Sequence, residues 1–347
     1  MNYPENLQEP VSHRFCVAPM MEWTDRHCRY FLRLFSRNTL LYTEMVTSGA
    51  LLHGDAGRFL RFNPEEQPVA LQLGGSDPDE MAQAARMGEQ AGYREINLNA
   101  GCPSDRVQRG KIGACLMAEP ELVADCMQAM SEAVAIPVTI KCRTGIDDLD
   151  SYEHLARFVD TIARRGCRTF IIHARIAILE GLSPKQNREV PPLNYERVFA
   201  IKKAFPELEI VINGGIRTLD EAKTLLSHVD GVMVGREAYQ NPGILAAVDR
   251  ELFGSALPDK LQDEVLEEFM DYVKKELAAG TALKHMTRHV LGLFQGMPGA
   301  KQYRRYLSEN AHKADADIAV LEQAGSYIRS SRFVSSSIQT TTQEFSC

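Results

Sequence analysis

Residues 68–101, PVALQLGGSDPDEMAQAARMGEQAGYREINLNAG, decide the fold class. Two short apolar runs, PVALQLGG (68–75) and EINLNAG (95–101), read as strands bounded by glycine. Between them, residues 79–91 repeat apolar side chains at a spacing near 3.6, and Asp77-Pro78 offers a helix start. The stretch is therefore one strand–helix–strand unit.

The same unit recurs on both sides. Further strand-like runs are RFCVAPM (14–20), TLLYTEMV (39–46), PVTIKCR (137–143), TFIIHAR (169–175), EIVINGG (209–215) and GVMVGR (231–236). Helical spacing fills 120–133, 152–164, 195–204 and 219–226, the last after Thr218 as a candidate cap. Eight β-then-α units before residue 255 predict a (β/α)8 TIM barrel over residues 1–255. An open doubly wound sheet would carry a glycine-rich phosphate turn after its first strand, whereas here that turn reads APMMEWTD. Beyond 255 the β-branched runs stop. Residues 256–330 predict a smaller all-helical C-terminal domain, and the Ser-, Thr- and Gln-rich segment 331–347 a flexible polar tail.

Composition narrows the class. With 347 residues, 44% hydrophobic and 24% charged, the chain is ordinarily globular. No apolar run approaches the roughly 18 residues of a membrane span, and the polar segment up to His13 lacks a signal peptide's apolar centre. A cytoplasmic protein with no membrane partner is expected, acting as a monomer. None of the eight cysteines forms a Cys-x-x-Cys pair, and Cys16, Cys142 and Cys167 lie in or beside strand-like runs, so buried thiols and no metal site are expected. The net charge of −7 does not announce a nucleic-acid partner. Locally the picture reverses: from 284 to 313, Lys284, Arg288, Lys301, Arg304, Arg305 and Lys313 face Glu309 alone. Lys301, Arg304 and Arg305 are spaced to share a helix face near Tyr303 or Tyr306, a phosphate-gripping pattern that a solvated helix face would also produce.

In such a barrel the chemistry lies at the C-terminal strand ends. Here these ends are Pro19-Met20-Met21, Glu44, Gln72, Asn97/Asn99/Cys102, Lys141/Arg143, His173/Arg175, Asn213-Gly214-Gly215 and Gly235-Arg236. A ring of polar ends is hard to read as core filling. NGG after the seventh strand and GR after the eighth offer unobstructed backbone N–H groups where barrels commonly hold a phosphate. Lys141 is costly to bury unless an anion meets it, and a reduced flavin qualifies; a snorkelling lysine is the alternative. His173 carries the same argument, against a core histidine bonded to backbone, and Gln72 is a candidate for an isoalloxazine edge. Cys102, in a polar loop near Arg106, is placed to move a proton or act as a nucleophile. Cys115, beside Leu116 and Met117, suits packing.

Together, APMMEWTD, NLNAGCPSDRVQRGKIGACLM, KCRTGIDD, HAR, LEGLSPKQNREVPPL, NGGI and MVGREAYQNP resemble the tRNA-dihydrouridine synthases, in particular their A-type bacterial subfamily, from about Arg14 to about Asn310. The resemblance implies an FMN-binding barrel, NADPH as reductant, and a helical domain that holds tRNA. It implies hydride transfer from flavin N5 to C6 of a D-loop uridine (positions 20 and 20a) and a proton from Cys102 to C5. By the same resemblance, Pro19, Met20, Met21, Gln72, Lys141, His173, Asn213, Gly214, Gly215, Gly235 and Arg236 bind FMN, Asn99 touches the target nucleotide, and Ser183 and Gln186 touch the RNA. The chain departs from the family where Ile176-Ala177-Ile178 replaces an expected lysine and aromatic ring, and more mildly at Ala100 and Glu22. Two other readings stay open: a flavin reductase of a small pyrimidine, in the manner of dihydroorotate dehydrogenase, and a tRNA-binding protein without chemistry.

Overall fold

The computed structural model describes residues 11–104 and 110–343. Arg106 and the polar N-terminal stretch up to residue 10 lie outside that range.

Eight strands form the barrel: β1 Phe15–Val17, β2 Leu40–Tyr42, β3 Val69–Gly74, β4 Glu95–Ala100, β5 Val138–Arg143, β6 Thr169–His173, β7 Glu209–Asn213 and β8 Gly231–Val234. All pair in parallel in the order β2-β1-β8-β7-β6-β5-β4-β3. Leu41 opposite Val69 and Tyr42 opposite Ala70 close the cylinder between β2 and β3. The (β/α)8 barrel anticipated from the sequence is the architecture observed.

The run 39–46 is not one strand. It breaks after Tyr42 and resumes as Val46–Thr47, which pairs with the end of β3. The Thr43 hydroxyl accounts for the break: it accepts from the Gln72 N–H at 3.0 Å and donates to the Glu44 carbonyl at 2.7 Å, replacing ladder bonds with side-chain ones.

Helix starts follow local chemistry. Asp77, Ser151 and Thr218 each accept from the backbone N–H three residues on, at 2.9, 3.1 and 3.1 Å, opening helices Pro78–Gln90, Tyr152–Ala163 and Leu219–Leu226. Gly88 is required by close approach, since a Cβ there would come within 2.7 Å of both Ile96 Cδ1 and Leu71 Cδ2.

Inside the barrel, strand alternation separates two kinds of lining. Cys16, Ala18, Leu40, Tyr42, Ala70, Ile171, Val211 and Met233 form an apolar cluster. Polar residues occupy the same register on β3 to β5: Gln72 pairs with Asn97, Asn97 with Thr139, and Asn99 with Lys141. At the N-terminal strand ends, buried His13 lies between two carboxylates, 2.6 Å from Glu95 and 3.0 Å from Glu209.

By compactness the chain divides into Met1–Arg26 with Asn38–Gly235, and His27–Arg37 with Arg236–Cys347. The second unit thus takes 27–37 and 236–255, which the alternation pattern groups with the barrel. Packing within that unit explains the grouping. Tyr30 stacks on Tyr272 at 3.9 Å, Phe31 meets Phe269 edge-on at 5.3 Å, and the Asp249 carboxylate accepts from Ser36 and the Arg37 N–H. Its main helices are Gln262–Ala278, Ala300–Asn310 and Ile318–Gln343. The last runs on through the polar segment anticipated as a flexible tail, because Ser, Thr and Gln without Gly or Pro supply no stop signal. The stretch after Ala282 makes only the short helix Lys284–Thr287. Gly292 follows in irregular backbone, where a Cβ would meet the Gln240 carbonyl oxygen at 2.2 Å.

Candidate active site

Register alone brings the strand-end residues together. Asn99 is beside Lys141, Arg143 beside His173, and His173 beside Asn213 on successive strands. Cys102 follows β4 by two residues, half-exposed, with its carbonyl accepting from the Ala114 N–H at 2.9 Å. The thiol is close enough to Lys141 and Arg143 for their charges to interact with it. Cys102 is therefore neither sealed in the core nor remote from the cationic strand ends. Cys115 behaves as packing suggests: burial raises its thiol pKa, and the thiol bonds to the Ile112 carbonyl at 3.2 Å.

Lys141 makes no hydrogen bond or ion pair with the described residues. Burial, reinforced by the charge of Arg143, draws its ammonium down from 10.5 to about 8. The His173 ring is likewise without a hydrogen-bond partner among the described residues. Burial and the charges of Arg143 and Lys141 hold it well below the usual histidine range, so it is neutral. Two polar side chains at one strand-end cluster thus have no partner among the described residues, and negative charge beside the ammonium would offset the cost of its burial.

Glycines shape the adjoining wall. Gly214 and Gly215 have φ of 116° and 77°, in the region that favours glycine. A Cβ at Gly214 would come 2.7 Å from His173 Cδ2, and one at Gly215 would come 2.8 Å from the Tyr195 hydroxyl oxygen. Asn213 is pinned from Nδ2 to the Met233 carbonyl at 2.7 Å, and the Tyr195 hydroxyl donates to the Gly214 carbonyl at 2.7 Å. A Cβ at Gly235 would find Ala18 Cβ at 3.7 Å and Met20 Sδ at 3.9 Å as its nearest neighbours, so the ends of β1 and β8 converge. After Pro19, the turn Met20–Thr24 is closed by the Thr24 hydroxyl oxygen accepting from Met20 N–H at 2.9 Å, and Met21 stands 57% exposed. An exposed apolar chain, two glycines packed closely on His173 and Tyr195, and an ammonium without a partner among the described residues meet at these strand ends. Gln72 keeps a free N–H and a free lone pair after its two protein bonds, to Asn97 and Asn99, at 2.8 Å each. Arg236 opens the helix Arg236–Gln240, which belongs to the second compact unit.

Two residues matter more than their sequence suggested. Arg143, 3% exposed, donates to the carbonyls of Gly101 at 2.8 Å, Ile176 at 2.9 Å and Asn187 at 3.1 Å. It thereby ties the Cys102 loop to the long loop after β6. Asn187, fully buried, bonds from its side chain to Ile178 N–H and to the carbonyls of Ile178 and Leu182. In that loop Ser183 and Gln186 cap each other, Ser183 N–H to Gln186 Oε1 at 2.9 Å and Gln186 N–H to Ser183 Oγ at 3.2 Å. The departure at Ile176-Ala177-Ile178 is accommodated by pairing: Ala177 N–H reaches the Gly145 carbonyl at 2.9 Å and its carbonyl accepts from Asp147.

In the second unit, Lys301 is exposed and Arg304 half-buried, donating to Gln295 at 2.8 Å. Arg304, Arg288 and Gln295 line a groove of about 610 Å³. Arg305 is engaged with Glu309 at 2.8 Å. Tyr303 is fully buried and does not join the basic face.

A barrel with a thiol, an unpaired ammonium and a glycine cradle at its strand ends is the framework of a dihydrouridine synthase, and the chain belongs to that family: the Dihydrouridine synthase (Dus) profile matches residues 16–328. Among curated relatives, the tRNA-dihydrouridine(20/20a) synthase of Escherichia coli strain K12 is 64% identical over 322 residues, covering 92% of this chain and 93% of the relative. Its namesake from Salmonella typhimurium strain LT2 is 63% identical over 314 residues, covering 90% and 94%. That of Vibrio cholerae serotype O1 is 60% identical over 314 residues, covering 90% and 96%. The resemblance carried by the GCPS-centred block is thus a family membership, and the chain is an enzyme. No helix among the described residues is long and apolar enough to cross a membrane.

Proposed function

We propose that this enzyme reduces uridines 20 and 20a in the D-loop of tRNA to 5,6-dihydrouridine, with FMN as cofactor and NADPH as reductant. The observation that carries the proposal is Lys141, an ammonium without a partner among the described residues, next to Cys102, His173 and Gly214-Gly215. When bound there, the flavin supplies the hydride that uracil takes up at C6. Cys102 delivers the matching proton to C5, so C5 and C6 each gain one C–H bond as their double bond is lost. Solvent then returns a proton to the sulfur, ready for the next turnover. Lys141 would hold the cofactor's negative charge, the backbone N–H groups of Gly214, Gly215 and Gly235 would meet its phosphate, and Met20, Met21 and Gln72 would border its ring. His173, neutral, donates a hydrogen bond without adding charge.

A stacked uracil cannot reach a strand-end cluster, so the nucleotide is extruded, and Asn99 meets it. Ser183 keeps its O–H and Gln186 its N–H groups free for the RNA. Lys301 and Arg304 grip phosphates. A small-pyrimidine reductase has no use for these cations.

The test uses purified protein. It should be yellow, bleach under NADPH, and form dihydrouridine in unmodified tRNA but not from free uridine. Cys102→Ala should keep flavin and its reduction while dihydrouridine formation falls about 10²–10⁴-fold, the usual contribution of a positioned acid. Colourless protein that refuses FMN, or full activity in Cys102→Ala, refutes the proposal.

A further inference from the structure

A file of buried polar side chains crosses the barrel from one end to the other. From Cys102 inward, its hydrogen bonds run head to tail. The N–H groups of Gly101 and Cys102 both donate to Asn99 Oδ1, at 3.0 Å each. Asn99 Nδ2 donates to Gln72 Oε1, Gln72 Nε2 to Asn97 Oδ1, and Asn97 Nδ2 to the Thr139 hydroxyl, each at 2.8 Å. Thr139 donates in turn to Glu95 Oε1 at 2.6 Å, which also accepts from the Tyr42 hydroxyl at 2.8 Å. Glu95 Oε2 meets His13 at 2.6 Å. Every side chain in the file is buried, Asn97 and Glu95 completely.

The two ends of a carboxamide are nearly the same shape, so its partners alone decide which end faces where. Here the fixed groups at the two ends agree: the Glu95 carboxylate accepts at one end, and the backbone N–H groups of Gly101 and Cys102 donate at the other. An ionised carboxylate only accepts, so Thr139 must donate to Glu95 and accept from Asn97. Asn97 then presents its oxygen to Gln72, Gln72 its oxygen to Asn99, and Asn99 its oxygen to the two N–H groups at Cys102. Were the direction reversed, Asn99 would turn an N–H toward those N–H groups and the loop would lose its cap. We propose that Glu95, at the N-terminal end of the barrel, is a positioning residue for Cys102: its carboxylate sets the polarity of a hydrogen-bond relay through Thr139, Asn97, Gln72 and Asn99 that pins the thiol's loop. The relay rests on Cys102 being the acid of the proposed reaction, and it adds that Gln72 and Asn99 arrive at the ligand with their orientations already chosen.

The experiment compares Thr139→Val, which removes the hydroxyl at nearly constant volume, with Thr139→Ser, which keeps it. Both are made in the flavin-loaded protein, with Glu95→Gln alongside. Iodoacetamide labelling of Cys102, followed by peptide mass spectrometry, reads loop restraint without any tRNA. In Thr139→Val and Glu95→Gln, labelling should rise by about tenfold, the scale of one lost buried hydrogen bond. Single-turnover reduction of tRNA uridine should fall by a similar factor. Thr139→Ser should stay near the parent. Parental labelling in Thr139→Val, or equal effects of Val and Ser, overturns the relay. If Glu95→Gln does not fold, the Thr139 pair decides. If the parent reduces no tRNA uridine, the functional proposal fails while the labelling still judges the relay.

Discussion

Lys141→Met should stabilise the apoprotein while impairing the enzyme. The folded state draws the Lys141 ammonium from 10.5 to about 8, with burial the main cause and Arg143 the second. At about 1.4 kcal/mol per pH unit, keeping it charged costs the cofactor-free fold up to about 3 kcal/mol at pH 7. Because the folded pKa is the lower one, the unfolded chain holds more protons between about 8 and 10.5. The parent's stability therefore gains from Lys141 as pH rises through that window, and the variant lacks this gain. Methionine keeps most of the stem and removes the charge. Urea unfolding of flavin-free parent and variant, at pH 7 and pH 9.5, should show the variant ahead at pH 7 by up to about 3 kcal/mol and the difference shrinking at pH 9.5. Comparing variant with parent cancels every other titrating group. FMN titration should show the opposite preference, with affinity lowered by about thirtyfold or more, as expected when one partner of a buried charge pair is lost. A variant less stable than its parent at pH 7 that still binds FMN unchanged would refute the assignment of Lys141 as an anion's partner.

Other perturbations separate the remaining parts. His13→Ala strips Glu95 of its counter-ion and should cost about 3–5 kcal/mol at pH 7 in the same urea assay; a loss under about 1 kcal/mol would mean the cluster is incidental. Burial alone would depress His13, but Glu95 and Glu209 outweigh it and raise it from 6.5 to about 10, so its contribution is complete below 6.5 and fades as pH climbs through 10. Gly214→Ala, at φ 116° and 2.7 Å from His173, should abolish flavin retention at a stability cost of about 1–3 kcal/mol; yellow protein from this variant would contradict the cradle. Lys301→Ala combined with Arg304→Ala should weaken tRNA binding and flatten the salt dependence of log K by about 1.5, from two lost phosphate contacts, and an unchanged slope would remove them from the interface.

What could be read from the sequence was what is decided locally. The strand runs and the caps at Asp77 and Thr218 depend on neighbours a few residues away, and apart from the break within 39–46 they fall where the pattern placed them. The ring of polar strand ends was legible for the same reason, since alternation puts Asn97, Asn99, Lys141 and Arg143 on the inward face. Their partners were not legible. His13 and Glu95 are separated by 82 positions, and neither looks unusual beside its own neighbours. Arg143 stood in the ring, yet nothing local says that it spends its guanidinium on three loop carbonyls. Tyr303 shares a basic helix but turns inward, because burial depends on what packs against the helix. Residues 27–37 group with helices more than two hundred positions away, through Tyr30 on Tyr272 and Phe31 on Phe269.

The two ends of the barrel handle charge in opposite ways, and the contrast locates the chemistry. At the N-terminal end, the His13 cation sits between Glu95 and Glu209, and hydroxyls from Tyr42, Thr139 and Thr169 complete both carboxylates. That cluster sets its cation against two carboxylates, so its charges are matched from within. At the C-terminal end, Arg143 is buried and lowered by the charges of Arg188 and Arg175, while half-buried Lys141 meets no carboxylate among the described residues and is lowered in turn by Arg143. Such a cluster is tolerable only if something anionic arrives. The relay from Glu95 to Cys102 then has a physical rationale: orientation is set at the end whose charges are closed, and used at the end whose charges are open. A ligand that neutralises Lys141 can therefore bind without disturbing the group that aims the thiol.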